Sequence, residues 1–97
     1  MMFAQTKPAV VEKELWVENR LGLHARPVVK IVTTAHEYDA NVTLEKDGIV
    51  VNARSLLEVL ALGSTQGTRL VLKASGPQAR EAAEAVALLF ASKFGEL

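Results

Sequence analysis

The chain of 97 residues contains no cysteine. That excludes a disulfide framework and a thiolate metal centre, and it is compatible with a reducing compartment. Charge of one sign is missing too: 11 Lys and Arg balance 11 Asp and Glu. The chain therefore lacks the electrostatic footprint of a protein that binds nucleic acid or adheres to anionic membranes. No apolar run reaches the roughly 18 residues needed for membrane insertion, and the opening MMFAQTKPAVVEKE has no apolar segment of signal-peptide length. On this reading the protein is cytoplasmic, and its partners are proteins or small solutes. Internal repeats, low-complexity stretches and a Gly-rich phosphate loop are also absent. The two histidines, His24 and His36, stand twelve residues apart, which does not put two ligands on one helical face, so neither a metal nor a cofactor is expected.

What is present suits one small domain. At 49% hydrophobic content the chain can fill a single core. Residues 1–12 show little periodicity and read as a poorly ordered lead-in, with the domain spanning residues 13–97. Glu14 to Glu18 alternates loosely and suggests a first strand. From Ala25 to His36 the apolar residues Val28, Ile31, Val32 and Ala35 fall at helical spacing, with Pro27 suited to the first turn. Asn41 to Lys46 and Ile49 to Val51 flank Asp47-Gly48, the pattern of a β-hairpin.

Ser55 to Leu62 reads as a short helix ended by Gly63, and Ser55-Leu56-Leu57-Glu58 matches a capping box in which serine and glutamate satisfy exposed amides reciprocally. Arg69 to Ala74 is a further strand, with Leu70 and Leu72 on one face and Val71 on the other. A last helix starts around Ser75-Gly76-Pro77. Its apolar stripe runs through Ala83, Val86, Ala87, Phe90 and Phe94, with Gly95 as the stop. The order βαββαβα predicts an α/β fold in the broad sense, an α+β two-layer sandwich of one sheet with helices on one face. Such sandwiches host many functions, so the chemistry has to come from a site.

The informative stretch is Leu21-Gly22-Leu23-His24-Ala25-Arg26-Pro27-Val28-Val29. It sets a histidine directly before a helix start, where free amides and the helix dipole favour an anion. That field disfavours the imidazolium, leaving a lone pair for attack on phosphorus. The amides of Ala25 and Arg26, with the Arg26 guanidinium, could hold phosphoryl oxygens. Gly22 would let the loop bend sharply. On physics alone a histidine at a helix start is more often a cap or a surface residue, so the residues by themselves leave cap, surface group and nucleophile open.

LGLHARP over residues 21–27, then Val51-Asn52-Ala53-Arg54-Ser55-Leu56-Leu57 and Gly63-Ser64-Thr65-Gln66-Gly67, resembles the HPr family, the histidine phosphocarriers of the bacterial phosphoenolpyruvate-dependent phosphotransferase system. The resemblance covers roughly residues 14 to 94. It implies a four-stranded antiparallel sheet in the order 1-4-2-3 and a monomeric phosphoryl carrier rather than an enzyme. His24 would accept phosphate from enzyme I and donate it to IIA components of sugar transport, with Arg26 as the active-site arginine. The resemblance also aligns Ser55 with the serine modified by HPr kinase/phosphorylase and places an apolar docking patch at Leu56, Leu57 and Leu60. Leucines at such spacing are usually core, so at least one of the three is expected to be buried.

Some features depart from the usual pattern. Val28-Val29 replaces small residues, the lead-in is long, and Glu58 is acidic beside the docking surface. The run from Gly76 to Phe94 looks like carriers of the nitrogen-related branch, so a regulatory relay stands beside sugar transport. A third reading is a non-carrier interaction module acting through Ser55. His24 argues against it.

Overall fold

A computed structural model describes residues 10–97. The elements are β1 (Val10–Trp16), α1 (Ala25–His36), β2 (Asn41–Lys46), β3 (Ile49–Asn52), α2 (Leu56–Leu62), β4 (Arg69–Ser75) and α3 (Ala79–Ala91), followed by a 3₁₀ turn at Lys93–Gly95. The four strands form one antiparallel sheet in the order β1-β4-β2-β3, as the resemblance implied.

The sheet is built by alternation. In β4, Leu70, Leu72 and Ala74 are buried while Arg69 and Lys73 are exposed. Leu72 pairs with Leu44, which pairs with Val51, so one buried row crosses three strands. The helices supply the second layer: α3 packs on β1 and β4, α2 on β3, and α1 against both other helices. Pro27, Val28, Ile31 and Ala35 of α1 are buried, the face expected from their spacing, with Val32 partly buried beside them. The hairpin turn is tight, Lys46 pairing with Ile49 across Asp47 and Gly48, both with positive φ. That is the backbone a two-residue hairpin demands and an Asp-Gly pair tolerates.

Several boundaries differ from expectation. β1 starts at Val10, not Glu14, and pairs with β4 from Val10↔Ser75 onward. Three residues assigned to the lead-in therefore belong to the sheet, because β4 is long enough to offer them partners. The rest of that segment, residues 1–9, lies outside the described residues. α3 begins at Ala79 and ends at Ala91. Phe94, expected on its stripe, instead sits in the turn beyond it with φ 56°, yet it is buried and meets Phe90 edge-on at a centroid distance of 4.9 Å. The aromatic contact is made by reversing the chain rather than by extending the helix.

Candidate functional site

The path into His24 is set by a compact loop. Val17 and Asn19 are fully buried at the end of the first strand's continuation. Gly22 then turns with φ +69°, and a Cβ there would stand 2.5 Å from the Ser64 carbonyl oxygen. That oxygen accepts the N–H of Leu23 at 2.8 Å, and Leu23 plugs into the core. With the residue before it anchored, His24 takes an extended conformation at the N-cap of α1, and its carbonyl accepts the Val28 N–H at 3.1 Å. Its side chain does not cap the helix. That disposes of the plainest structural role for a histidine at this place.

The imidazole points elsewhere. His24 Nε2 lies 2.8 Å from Oε2 and 3.1 Å from Oε1 of Glu96, 72 residues along the chain. Asn19 Nδ2 donates both to Glu96 Oε1 at 3.0 Å and to the Gly22 carbonyl at 2.8 Å, tying the carboxylate to the loop that carries the histidine. The segment bearing Glu96 is held on three sides. Phe94 is buried, Lys30 Nζ donates to the Phe94 carbonyl at 2.6 Å, and the Arg20 N–H donates to the Leu97 carbonyl at 2.8 Å. The Glu96 carboxyl is held below its ordinary 4.5, first by the hydrogen bond from His24, with the Asn19 bond and the charges of His24 and Arg26 adding to it against partial desolvation.

An ionised carboxylate only accepts, so His24 Nε2 is the donor and carries the proton. In the neutral ring the lone pair then belongs to Nδ1. The imidazole side chain is about one-third exposed, and Glu96 only about one-ninth. Together with Arg20, Leu21, Arg26 and Leu97 they line an open cleft of about 440 Å³. The arrangement is a partly exposed imidazole whose proton-bearing nitrogen faces a carboxylate, in a cleft that two arginine side chains also line.

Among the residues singled out from sequence, His24 and Arg26 share this cleft. The Ala25 and Arg26 amides belong to the first turn of α1, which has no acidic side chain in that turn to occupy it. Ser55 and the three leucines lie on α2, which packs against α1 but does not line the cleft. Ser55 is the N-cap of α2, its Oγ accepting the Glu58 N–H at 3.3 Å.

The capping box is only half formed. The Glu58 carboxylate accepts from the Asn52 N–H at 2.9 Å, while the Ser55 N–H turns to the Asn52 carbonyl. The tight turn out of β3 brings the Asn52 amide within reach and diverts the glutamate. The leucines depart further from expectation: Leu56, Leu57 and Leu60 are all exposed, Leu57 to 77%. α2 buries its other side through Val59 and Leu62, because a seven-residue helix beside β3 has room for only one inward row. Sequence reasoning missed Asn19 and Glu96. Nothing local links either to His24, although a carboxylate directly after the Gly95 stop was there to be noticed.

Comparison with known proteins shows the family. The family described as the PTS HPr component phosphorylation site matches residues 11–92. The chain belongs to the PTS HPr family. Phosphocarrier protein HPr of Xylella fastidiosa is 39% identical over 87 residues, covering 90% of this chain and 98% of that one. Phosphocarrier protein NPr of Klebsiella oxytoca is 40% identical over 87 residues, covering 89% and 97%. Among solved structures, HPr from Thermoanaerobacter tengcongensis superposes with a TM-score of 0.86 at 39% identity, covering 90% of this chain and 98% of that one. This HPr-family protein is thus a phosphocarrier of the phosphotransferase system, and no described helix is long and apolar enough to cross a membrane.

Proposed function

We propose that His24 is the residue that carries the phosphoryl group, taken from enzyme I and passed to a IIA component. The observation that carries this reading is the bonding of the ring. With Nε2–H held by Glu96, Nδ1 is the nitrogen left with a lone pair, on a side chain that is neither buried nor used as a helix cap. The cleft is open and its two arginines, Arg20 and Arg26, are exposed, so a phosphoryl group there is stabilised by partly solvated contacts. A carrier needs that balance. A deep, multiply charged pocket would hold the group too tightly to give it up. The protein acts in this reading as a covalent carrier, not as an enzyme, and one copy suffices because the cleft is built from one chain.

Docking falls to the exposed leucines of α2, with Leu21 and Val29 exposed near His24. Scattered leucines need no explanation, but Leu56, Leu57 and Leu60 share one short helix on the layer that carries His24, and a compact apolar patch of this kind suits a transient partner. Ser55, at the edge of that patch and partly accessible, is the site at which HPr kinase/phosphorylase would add charge. Relatives named NPr are as similar to this chain as those named HPr, which supports a regulatory relay as the second reading.

Incubation with enzyme I and phosphoenolpyruvate, followed by intact mass, tests the carrier reading. One acid-labile phosphoryl group is expected on the parent and none on His24→Ala. Labelling of the alanine variant at the parental level would remove His24 from the role. Arg26→Ala should slow transfer with the fold intact, since an exposed arginine contributes little to stability. Separate reactions with IIA proteins of sugar permeases and of the nitrogen-related branch, read as initial rates, distinguish the two relays.

A further inference from the structure

We infer that the cleft between the end of α1, the start of β2 and the turn after β3 is a second binding site, built to hold a phosphate monoester of a small polyol: the Arg54 guanidinium takes the phosphate, and Asn41, Thr43 and Asn52 take the hydroxyl groups. The cleft has a volume of about 600 Å³ and is lined by His36, Asn41, Val42, Thr43, Asn52 and Arg54, a size that accommodates a small organic ligand. It shares no lining residue with the His24 cleft and is separate from the carrier site.

The polar groups are fixed before any ligand arrives. Arg54 Nη1 donates to the Ala40 carbonyl at 3.2 Å, which ties the guanidinium to the residue before β2 and leaves its other nitrogens unspent. The Arg54 backbone N–H donates to Asn52 Oδ1 at 2.9 Å. The asparagine amide is thereby held by its oxygen, and its two N–H donors are the end left for a ligand. His36 Nε2 donates to the Arg54 carbonyl at 2.9 Å, so in the neutral ring Nδ1 remains as an acceptor for a hydroxyl. Each of these three side chains is held at one end and free at the other. A ligand is spared most of the entropy cost of ordering them.

Charge selects the class of ligand. No carboxylate lines this cleft, whereas Glu96 lines the His24 cleft together with its arginines. Among the described residues the ion pairs are His24 with Glu96 and Arg69 with Glu14, so Arg54 has no anionic partner. It is half-buried, and its fork of donors matches the oxygens of a phosphate. Lys73 adds to the field: it pairs with Thr43, which pairs with Asn52, so its side chain stands on the same sheet face one strand away. The remaining lining decides what the phosphate is attached to. Val42 is its only apolar residue and no aromatic ring is present, so nothing there stacks a nucleobase. Asn41, Thr43 and Asn52 instead put two amides and a hydroxyl on one face of β2 and β3, where they exchange hydrogen bonds with the hydroxyls of a polyol.

The test is a titration of the full chain with glycerol 3-phosphate, inorganic phosphate or glycerol at matched ionic strength, read from backbone and side-chain amide signals by NMR. Glycerol 3-phosphate should move the signals of Asn41, Thr43, Asn52 and Arg54 saturably in the millimolar range. Inorganic phosphate should do so several-fold more weakly, and glycerol alone not at all. The Ala25 and Arg26 amides report any anion bound at the His24 cleft, which keeps the two sites apart. Asn52→Asp retains an oxygen to accept the Arg54 N–H but replaces the amide donors by a negative charge, so it should fold and lose the response at this cleft while Ala25 and Arg26 behave as in the parent. Arg54→Ala should weaken binding about tenfold or more, the scale of one charge-assisted hydrogen bond. Arg54→Lys keeps the charge without the fork and should weaken it part of the way, and it serves in place of the alanine variant if that one fails to fold. No saturable shift at these four residues in the parent, or a parental titration in Asn52→Asp or in the folded Arg54 variants, overturns the inference. Equal affinity for phosphate and for its glycerol ester overturns the assignment of a polyol.

Discussion

Gly22 and Ser64 meet so closely that a Cβ on the glycine would stand 2.5 Å from the serine carbonyl oxygen, the same oxygen that accepts the Leu23 N–H. The contact joins the loop before α1 to the loop after α2, and His24 is carried on that joint. Gly22→Ala would add both a positive-φ penalty and a backbone clash, costing about 2–5 kcal/mol. Urea unfolding should register the loss. Because the clash displaces Leu23 and with it His24, phosphorylation should fall even at temperatures where the variant remains folded.

Glu96 makes the fold sensitive to acid. Its carboxyl titrates lower in the folded protein than its ordinary 4.5, chiefly through the His24 hydrogen bond. A group of that kind adds stability that is complete above the unfolded value and is lost as pH falls through the folded one. The expectation is a decline of stability below about pH 4.5 that is shallower in Glu96→Gln than in the parent. Urea midpoints across this range decide it, and equal slopes would mean that the contact does not persist in solution.

Ser55 separates a structural from a regulatory effect. Ser55→Ala removes the acceptor for the Glu58 N–H and should cost about 1 kcal/mol. Ser55→Asp keeps an acceptor and should melt near the parent, yet its charge at the rim of the α2 patch should slow phosphorylation by enzyme I at low ionic strength. Equal transfer rates for all three proteins would leave Ser55 as a helix cap only.

Two neighbours on α2 should behave oppositely. Leu57 is exposed and Val59 is fully buried. Val59→Ala should lower stability by about 1–3 kcal/mol through loss of buried methyls. Leu57→Ala should leave the melting temperature unchanged and raise the concentration of carrier needed for half-maximal transfer. If Leu57→Ala transfers like the parent across the concentration range, the patch is not a docking surface.

The sequence by itself determined the pieces whose causes are local. The three- and four-residue spacing of Val28, Ile31 and Ala35, the Asp47-Gly48 turn, the Ser55 cap and the alternation through Leu70 and Leu72 each reflect an interaction within a few residues, and each was legible. LGLHARP likewise set His24 directly before a helix and Arg26 in its first turn, where the structure has them, because that start is written in consecutive letters. Tertiary structure alone decided the rest. The reach of β1 back to Val10 depended on the length of β4, and the exposure of Leu56, Leu57 and Leu60 depended on which side of α2 met the sheet. The bond from His24 to Glu96 spans 72 residues and exists only because Phe94 reverses the chain with a positive φ that its letter does not advertise. Local periodicity encodes which residues form an element. The approach of two distant side chains depends on how all the elements pack, which no short stretch of sequence contains.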